Sequence, residues 1–218
     1  MNDLGPARAA LSFDRDGSNV SRETLRRMAQ FADLFDAWSK RINLVASSTG
    51  DDFWTRHVAD SAQLLRLKPD ARHWADLGSG GGFPGMVIAI LLSETEGAHV
   101  DLIESNRKKA AFLQTVRAAC APCASVHPAR IEDAVLRLEA PQVVTARALA
   151  PLDDLLSLVT PWLAAGTTCL FHKGRGYADE VADSRAHWHF DLIVHESVAA
   201  PDSVILEISD VRRAPNSH

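Results

Sequence analysis

The densest chemical signal in the chain is Asp76-Leu-Gly78-Ser-Gly80-Gly81-Gly82-Phe83-Pro84-Gly85, which sets five glycines within eight residues behind a carboxylate. Glycine reaches positive φ without a Cβ penalty and lets a ligand approach the backbone closely. Pro84 carries the φ favoured in a first helical turn, so a helix opening there would aim free N–H groups and its dipole at an anion. No Gly-Lys-Ser/Thr follows, which excludes an ATP-type phosphate loop. Two ligands remain. Read as G-x-G-x-x-G, Gly80, Gly82 and Gly85 fit a dinucleotide loop. Read from Asp76, the pattern is Asp-x-Gly-x-Gly, whose acid repels a pyrophosphate and attracts the amino group and sulfonium of S-adenosylmethionine (AdoMet). Glu104 ends the next apolar run, where a carboxylate can accept ribose hydroxyls of either cofactor.

The thiols and imidazoles carry less. Cys120, Cys123 and Cys169 are odd in number, so a disulfide framework is not expected. A redox CxxC gains its low thiol pKa at the start of a helix, whereas Cys120-Ala-Pro-Cys123 follows a helical stretch. A zinc finger needs a second CxxC or CxxH, and none occurs. His187, His189 and His195 alternate along one strand and read as ordinary strand residues. No metal is expected. Lys plus Arg number 23 and Asp plus Glu 28, a net charge of −5, which excludes a protein that coats nucleic acid non-specifically but leaves room for a local basic face. The apolar run Met86 to Leu92 is far short of the roughly 20 residues of a bilayer span, and Met1 to Gly17 has no apolar signal core, so a cytoplasmic protein is expected.

A chain of 218 residues can close one main core around these groups. Residues 1–20, with Gly5, Pro6, Gly17 and Ser18, read as a flexible tail. Residues 21–68 read as an N-terminal helical cap. Ser21 is an N-cap for a helix with apolar positions Leu25, Met28, Ala32, Phe35, Trp38 and Ile42. Ser47 to Asp51 breaks it, and a second helix runs from Asp52 to about Leu67. Residues 69–213 alternate. Strands are predicted at Trp74–Leu77, Val100–Ile103, Ala124–His127, Val143–Ala146 and Thr168–His172, with helices at Pro84–Leu92, Asn106–Ala119, Ile131–Leu138, Leu152–Leu163 and Tyr177–Trp188. That is a doubly wound α/β pattern with a parallel sheet. Phe190–His195 and Val204–Ile208 lie too close together for a crossover helix and must pair antiparallel, making seven strands.

A seven-stranded sheet of this kind resembles the Rossmann-like fold of class I AdoMet-dependent methyltransferases, and the acidic lead-in to the glycines resembles their motif I. The loop after the fourth strand, Thr145-Ala-Arg147-Ala-Leu-Ala-Pro151, lacks the Asn/Asp-Pro-Pro-Tyr/Phe of enzymes that methylate exocyclic amines. No cysteine is suitably placed to activate a pyrimidine C5. An acceptor that is already nucleophilic, such as purine N7, needs no general base, only proximity and in-line orientation.

Four ordered blocks then resemble the RsmG (GidB) family of 16S rRNA guanine-N7 methyltransferases: Trp38-Ser-Lys-Arg-Ile-Asn43-Leu44, Arg56-His57-Val-Ala-Asp60-Ser61, the loop Asp76 to Gly85, and Glu104-Ser-Asn-Arg-Lys108-Lys109. Phe112-Leu113, Arg130-Ile-Glu132, Ala146-Arg147-Ala148 and Lys173-Gly174 agree, over about Ser21 to Val211. The resemblance implies AdoMet as cofactor, held by Asp76, Gly78, Gly80 and Phe83, with Glu104, Ser105 and Asn106 along the ribose. It places Ile131 and Glu132 around the adenine and Arg147 near the reacting end. Arg147 and Lys173 are the candidates for orienting substrate, and with Arg175 for RNA contact. His172 and Ser209-Asp210 depart from the family pattern, with Arg212 and Arg213 as possible substitutes at that end. His57 and Asp60, one helical turn apart, are expected to tie the cap to the sheet. The implied partner is 16S rRNA or a small ribosomal particle, met by a monomer. A small-molecule methyltransferase and a dinucleotide-binding oxidoreductase or redox sensor are the alternatives.

Overall fold

The computed structural model describes residues 4–11, 20–44, 53–199 and 202–215. The predicted break at Ser47 to Asp51 lies outside them. A seven-stranded sheet has the order β3-β2-β1-β4-β5-β7-β6. Its strands are β1 (His73–Leu77), β2 (His99–Ile103), β3 (Ala124–His127), β4 (Val143–Arg147), β5 (Thr168–Lys173), β6 (Trp188–Glu196) and β7 (Val204–Arg213). β1 to β5 are parallel, while β7 pairs antiparallel with both β5 and β6. The chain winds outward from β1 to β3, then returns to β1's other side with β4. The gap between β1 and β4 is therefore the topological switch point at which open α/β sheets bind ligands.

Eight helices accompany the sheet among the described residues: α1 (Gly5–Ala10), α2 (Arg22–Ser39), α3 (Asp60–Leu67), α4 (Gly85–Leu91), α5 (Arg107–Cys120), α6 (Ile131–Ala134), α7 (Leu152–Leu163) and α8 (Tyr177–Ser184). A π-helical segment, Phe53–Ala59, precedes α3. Ser21 caps α2 as its position predicts, accepting the Thr24 N–H at 3.0 Å. One face of the sheet buries Val100 and Leu102 under Met28, Phe31, Met86, Ile88, Phe112 and Leu113. The other buries Val144, Phe171 and Leu206 under Leu152, Leu155, Val159 and Trp162. The helices before Pro69 share the first of these cores, so they form a layer of the sandwich.

Five expectations are corrected. Part of the predicted tail, residues 5–10, is helical, because Ala7, Ala10 and Leu11 make a small apolar face that docks into the core. The second cap helix opens as a π-helix and becomes α-helical only at Asp60. The third crossover helix is one turn, Ile131–Ala134. The last helix stops at Ser184, and Trp188, read as its end, begins β6, where burial alternates at Trp188, His189 and Phe190. β7 also runs past Ile208 to Arg213, opposite a register shift between His189 and Asp191.

Candidate active site

The glycine loop leaves the C-terminal end of β1 at the switch point. Gly78 and Gly80 have φ of 64° and 54°, the left-handed region that side chains resist. The Gly80 N–H donates to Glu104 Oε2 at 2.9 Å, and the Asn106 N–H donates to Glu104 Oε1 at 2.7 Å. One buried carboxylate at the end of β2 thus holds both the glycine loop and its own loop, with a lone pair left on each oxygen for a further donor. Asn106 caps α5, its Oδ1 accepting from Lys108 N at 3.0 Å and Lys109 N at 3.2 Å. Ser105 is exposed beside it. Ile131 and Glu132 begin α6, just past the end of β3.

Asp76 faces inward. Its Oδ1 accepts the Thr145 hydroxyl at 2.8 Å and its Oδ2 accepts the Gly85 N–H at 3.2 Å. Burial pushes its carboxyl up to about 6, with the bonds from Thr145 and Gly85 opposing that rise. The anion expected at the start of α4 is therefore supplied by the chain itself. The Met86 N–H is also taken, by Gly82 O at 2.9 Å. Phe83 is 5% exposed and wedges into rings of the N-terminal helices. Phe31, Phe35 and Phe53 lie 5.4, 5.5 and 5.7 Å from it between centroids, and His57 stacks on it at 4.7 Å.

Beside the loop, a cavity of about 630 Å³ opens at the C-terminal ends of β4 and β5, lined by Arg56, His57, Asp60, Arg147, His172 and Lys173 among others. Arg147 organises it. Its guanidinium donates to Arg56 O at 3.1 Å, meets His57 Nδ1 at 2.9 Å, lies 3.7 Å from Asp60 Oδ2, and sits 5.2 Å from the Phe83 ring centroid. Asp60 also meets His172 Nε2 at 3.4 Å and accepts the Ser197 hydroxyl at 2.7 Å. Burial opposes its ionisation, but His172, Ser197 and Arg147 outweigh that and hold its carboxyl below the usual value. His57 and Asp60 thus tie the cap to β4 and β5.

Lys173 donates to Ala150 O at 2.7 Å and to Glu180 Oε2 at 2.6 Å, with only 7% of its side chain exposed. It braces the loop after β4. In that loop Ala148 holds φ at 51°, a strained value for alanine, and Leu149 is turned against Gly78. Arg175 is exposed and paired with exposed Asp202. Arg213 stacks over Trp188 at 3.9 Å, on the far edge of the sheet. The π-helical turn, the Asp60–His172 contact and the strained Ala148 were not marked in the sequence. The adjacent Arg56-His57 and Asp60 block was the available signal.

The three thiols are free, with Cys120 and Cys169 buried and Cys123 partly so. Burial pushes Cys120 up to about 11 and raises Cys123, and Cys123 Sγ donates to Ala89 O at 3.1 Å.

A glycine loop, a carboxylate and an apolar turn that end β1, β2 and β3, with an arginine-lined cavity at β4, define a class I AdoMet-dependent methyltransferase fold. Comparison with known proteins narrows this. The GidB family model, rRNA small subunit methyltransferase G, matches residues 24–207. The ribosomal RNA small subunit methyltransferase G of Chelativorans sp. (strain BNC1) is 56% identical over 195 residues, 89% of this chain and 92% of that protein. That of Rhizobium rhizogenes is 52% identical over 203 residues, 92% and 99% of the two chains. The solved O-methyltransferase from Bacillus cereus in complex with SAH shares the fold at a TM-score of 0.58, with 12% identity over 93% of this chain and 97% of that one. The chain belongs to the GidB family.

Proposed function

We propose that this protein transfers a methyl group from AdoMet to N7 of a guanine in 16S rRNA, by direct SN2 displacement on the small ribosomal subunit or a precursor of it. The observation that carries the reading is the order of groups along one edge of the sheet. Ile131 and Glu132, Glu104, Gly78 with Gly80, and Arg147 follow β3, β2, β1 and β4, which are neighbours in that order. Adenine, ribose, methionine and acceptor would occupy the same sequence of places.

The residues fit the cofactor. Glu104 keeps an acceptor lone pair on each oxygen for ribose hydroxyls, and a Cβ on Gly80 would meet only Gly78 O, at 3.6 Å, so that backbone is open to a ligand. Bound there, AdoMet supplies an electrophilic methyl on a sulfonium. Asp76 shapes the loop from behind it, and Phe83 locks the loop to the cap. Purine N7 carries a lone pair and no proton at neutral pH, so no general base is required of the chain. Arg147, fixed by four neighbours, is preorganised to hold guanine O6 or a phosphate beside the methionine end. Arg175 can exchange its exposed partner Asp202 for a phosphate, since such surface pairs are weak. Lys173 supports the loop that carries these contacts.

No described helix is long and apolar enough to cross a membrane. The proposed substrate, the small ribosomal subunit, is cytoplasmic, and in this proposal a monomer meets it. With a net charge of −5, the protein would select one exposed base through shape and few contacts. Incubating it with methyl-labelled AdoMet and small ribosomal subunits tests the proposal. Label in 16S rRNA is expected. Label in free nucleosides or small metabolites with none in rRNA would favour a small-molecule methyltransferase, and tight NAD(H) binding without AdoHcy binding would favour an oxidoreductase.

A further inference from the structure

On one face of β1, β2 and β3, three imidazoles converge on one buried carboxylate: His73 and His99 start β1 and β2, away from the glycine loop, and His127 ends β3. His73 Nε2 lies 2.9 Å from Asp101 Oδ2, His99 Nε2 lies 2.9 Å from Asp101 Oδ1, and His127 Nε2 lies 2.7 Å from the same Oδ1. The strand register explains the convergence. His73 and His99 are directly paired across parallel strands, and Asp101, two residues beyond His99, points from the same face. The two rings stand 5.4 Å apart between centroids, and one ligand atom from each of His73, His99 and Asp101 falls within 4.8 Å of the others. Asp101 is 5% exposed at its side chain while His99 is 45% exposed, so the cluster is anchored on the sheet and open to solvent on one side.

We propose that His73, His99 and Asp101 form a binding site for a divalent transition-metal ion of the zinc class, with His127 orienting the carboxylate from outside the coordination sphere. Two imidazoles and one carboxylate favour zinc, nickel, copper or iron over magnesium and calcium, which take oxygen ligands. In a tetrahedral zinc site neighbouring donor atoms stand about 3.3 Å apart, given bonds of about 2.0–2.1 Å. The present contacts of 2.9 Å, one to each oxygen of Asp101, would widen by a few tenths of an ångström, and the two imidazole nitrogens, within 4.8 Å of each other, would settle to a similar spacing by side-chain rotation. Three protein ligands leave a fourth position for water. A hydrogen bond from a neighbouring residue to a ligating carboxylate is the usual outer support, and His127 makes one. The ligands come from two strands far from Arg147, so the ion would tie β1 to β2 and take no part in methyl transfer.

The test uses untagged protein stripped with a chelator. Zinc titration by calorimetry is expected to show one equivalent bound, tighter than about 10 μM. Cobalt in place of zinc should give visible d–d absorption of a low-coordinate site. His99→Gln and His73→Gln should each weaken zinc binding about 100-fold, and His127→Gln about 10-fold. AdoHcy affinity in these variants should match that of the parent, which shows that they fold. Zinc should raise the thermal midpoint of the parent and not that of His99→Gln. A double change of His187 and His195 to Gln controls for binding elsewhere and should leave affinity unchanged. Absence of saturable binding would overturn the proposal, as would binding that survives both His73→Gln and His99→Gln.

Discussion

Gly85→Ala tests the architecture of the glycine loop most sharply. The backbone at Gly85 is helical, so alanine meets no conformational penalty there. The obstacle is contact. A Cβ on Gly85 would lie 2.5 Å from Asp76 Cβ, 2.5 Å from Leu102 Cδ2 and 2.7 Å from Asp76 Oδ2. Asp76 and Leu102 sit on β1 and β2, are 1% and 0% exposed, and cannot step aside. Overpacking a core costs about 1–3 kcal/mol, and pushing Asp76 off the Gly85 N–H leaves a buried carboxylate short of a donor for another 1–3 kcal/mol or so. About 2–6 kcal/mol of destabilisation is the expected sum, with AdoHcy binding lost because α4 moves away from β1. Gly80→Ala is the contrasting variant. It strains the backbone at φ 54° but meets only Gly78 O at 3.6 Å. It should cost about 1–2 kcal/mol, since left-handed backbone is the only penalty. Urea unfolding followed by tryptophan fluorescence, with AdoHcy calorimetry on each variant, separates the two. If Gly85→Ala unfolds within about 1 kcal/mol of the parent, the tight approach of α4 to Asp76 is wrong.

Further tests bear on charge and on the thiols. The Asp76 carboxyl is pushed up to about 6 from 3.8. Between those values the folded chain keeps a proton that the unfolded chain has released. The stability from this group is full below the unfolded value and falls as pH rises to about 6, by about 3 kcal/mol in all. Asp76→Asn lacks that slope, so its unfolding free energy should gain on the parent by a similar amount between about pH 4 and pH 7; a constant difference would contradict the burial argument. Arg147→Ala removes one of the partners of buried Asp60, which keeps His172 and Ser197, and should cost about 1–3 kcal/mol in stability. It should also slow methyl transfer about 100-fold or more while reducing AdoHcy affinity by a smaller factor, and equal losses in both would make Arg147 only a cofactor ligand. Cys120 and Cys169, pushed up to about 11 and about 12, should resist Ellman's reagent in the native protein and react on unfolding.

How much of this was legible in the sequence depended on whether the signal was local. The strands from Trp74 to His172 were, because short runs rich in apolar and β-branched residues between turn signals leave little choice, and the structure moves an end by at most one residue. The glycine loop and Glu104 were legible for the same reason, as each sits in one short block at a strand end. What failed depended on partners distant in sequence. Gly5 and Pro6 read as breakers, while Ala7, Ala10 and Leu11 gain their helix only from the core they dock against. Lys173 read as a candidate for orienting substrate and for RNA contact, although Glu180 and Ala150 occupy its ammonium group. The His73, His99 and Asp101 cluster has no finger-like spacing, because parallel strands, separated by a whole crossover, set its ligands side by side.

The most direct measurement is a map of the methyl group itself. Small ribosomal subunits lacking the modification are treated with the protein and AdoMet, the rRNA is cleaved chemically at N7-methylguanine, and the ends are read by primer extension. One new stop is expected, at a single guanine of 16S rRNA, that depends on AdoMet and appears about 100-fold more slowly or not at all with Arg147→Ala. Label on the rRNA without N7-dependent cleavage would contradict the acceptor, and no label on naked rRNA or on particles, from protein that binds AdoHcy, would contradict the function.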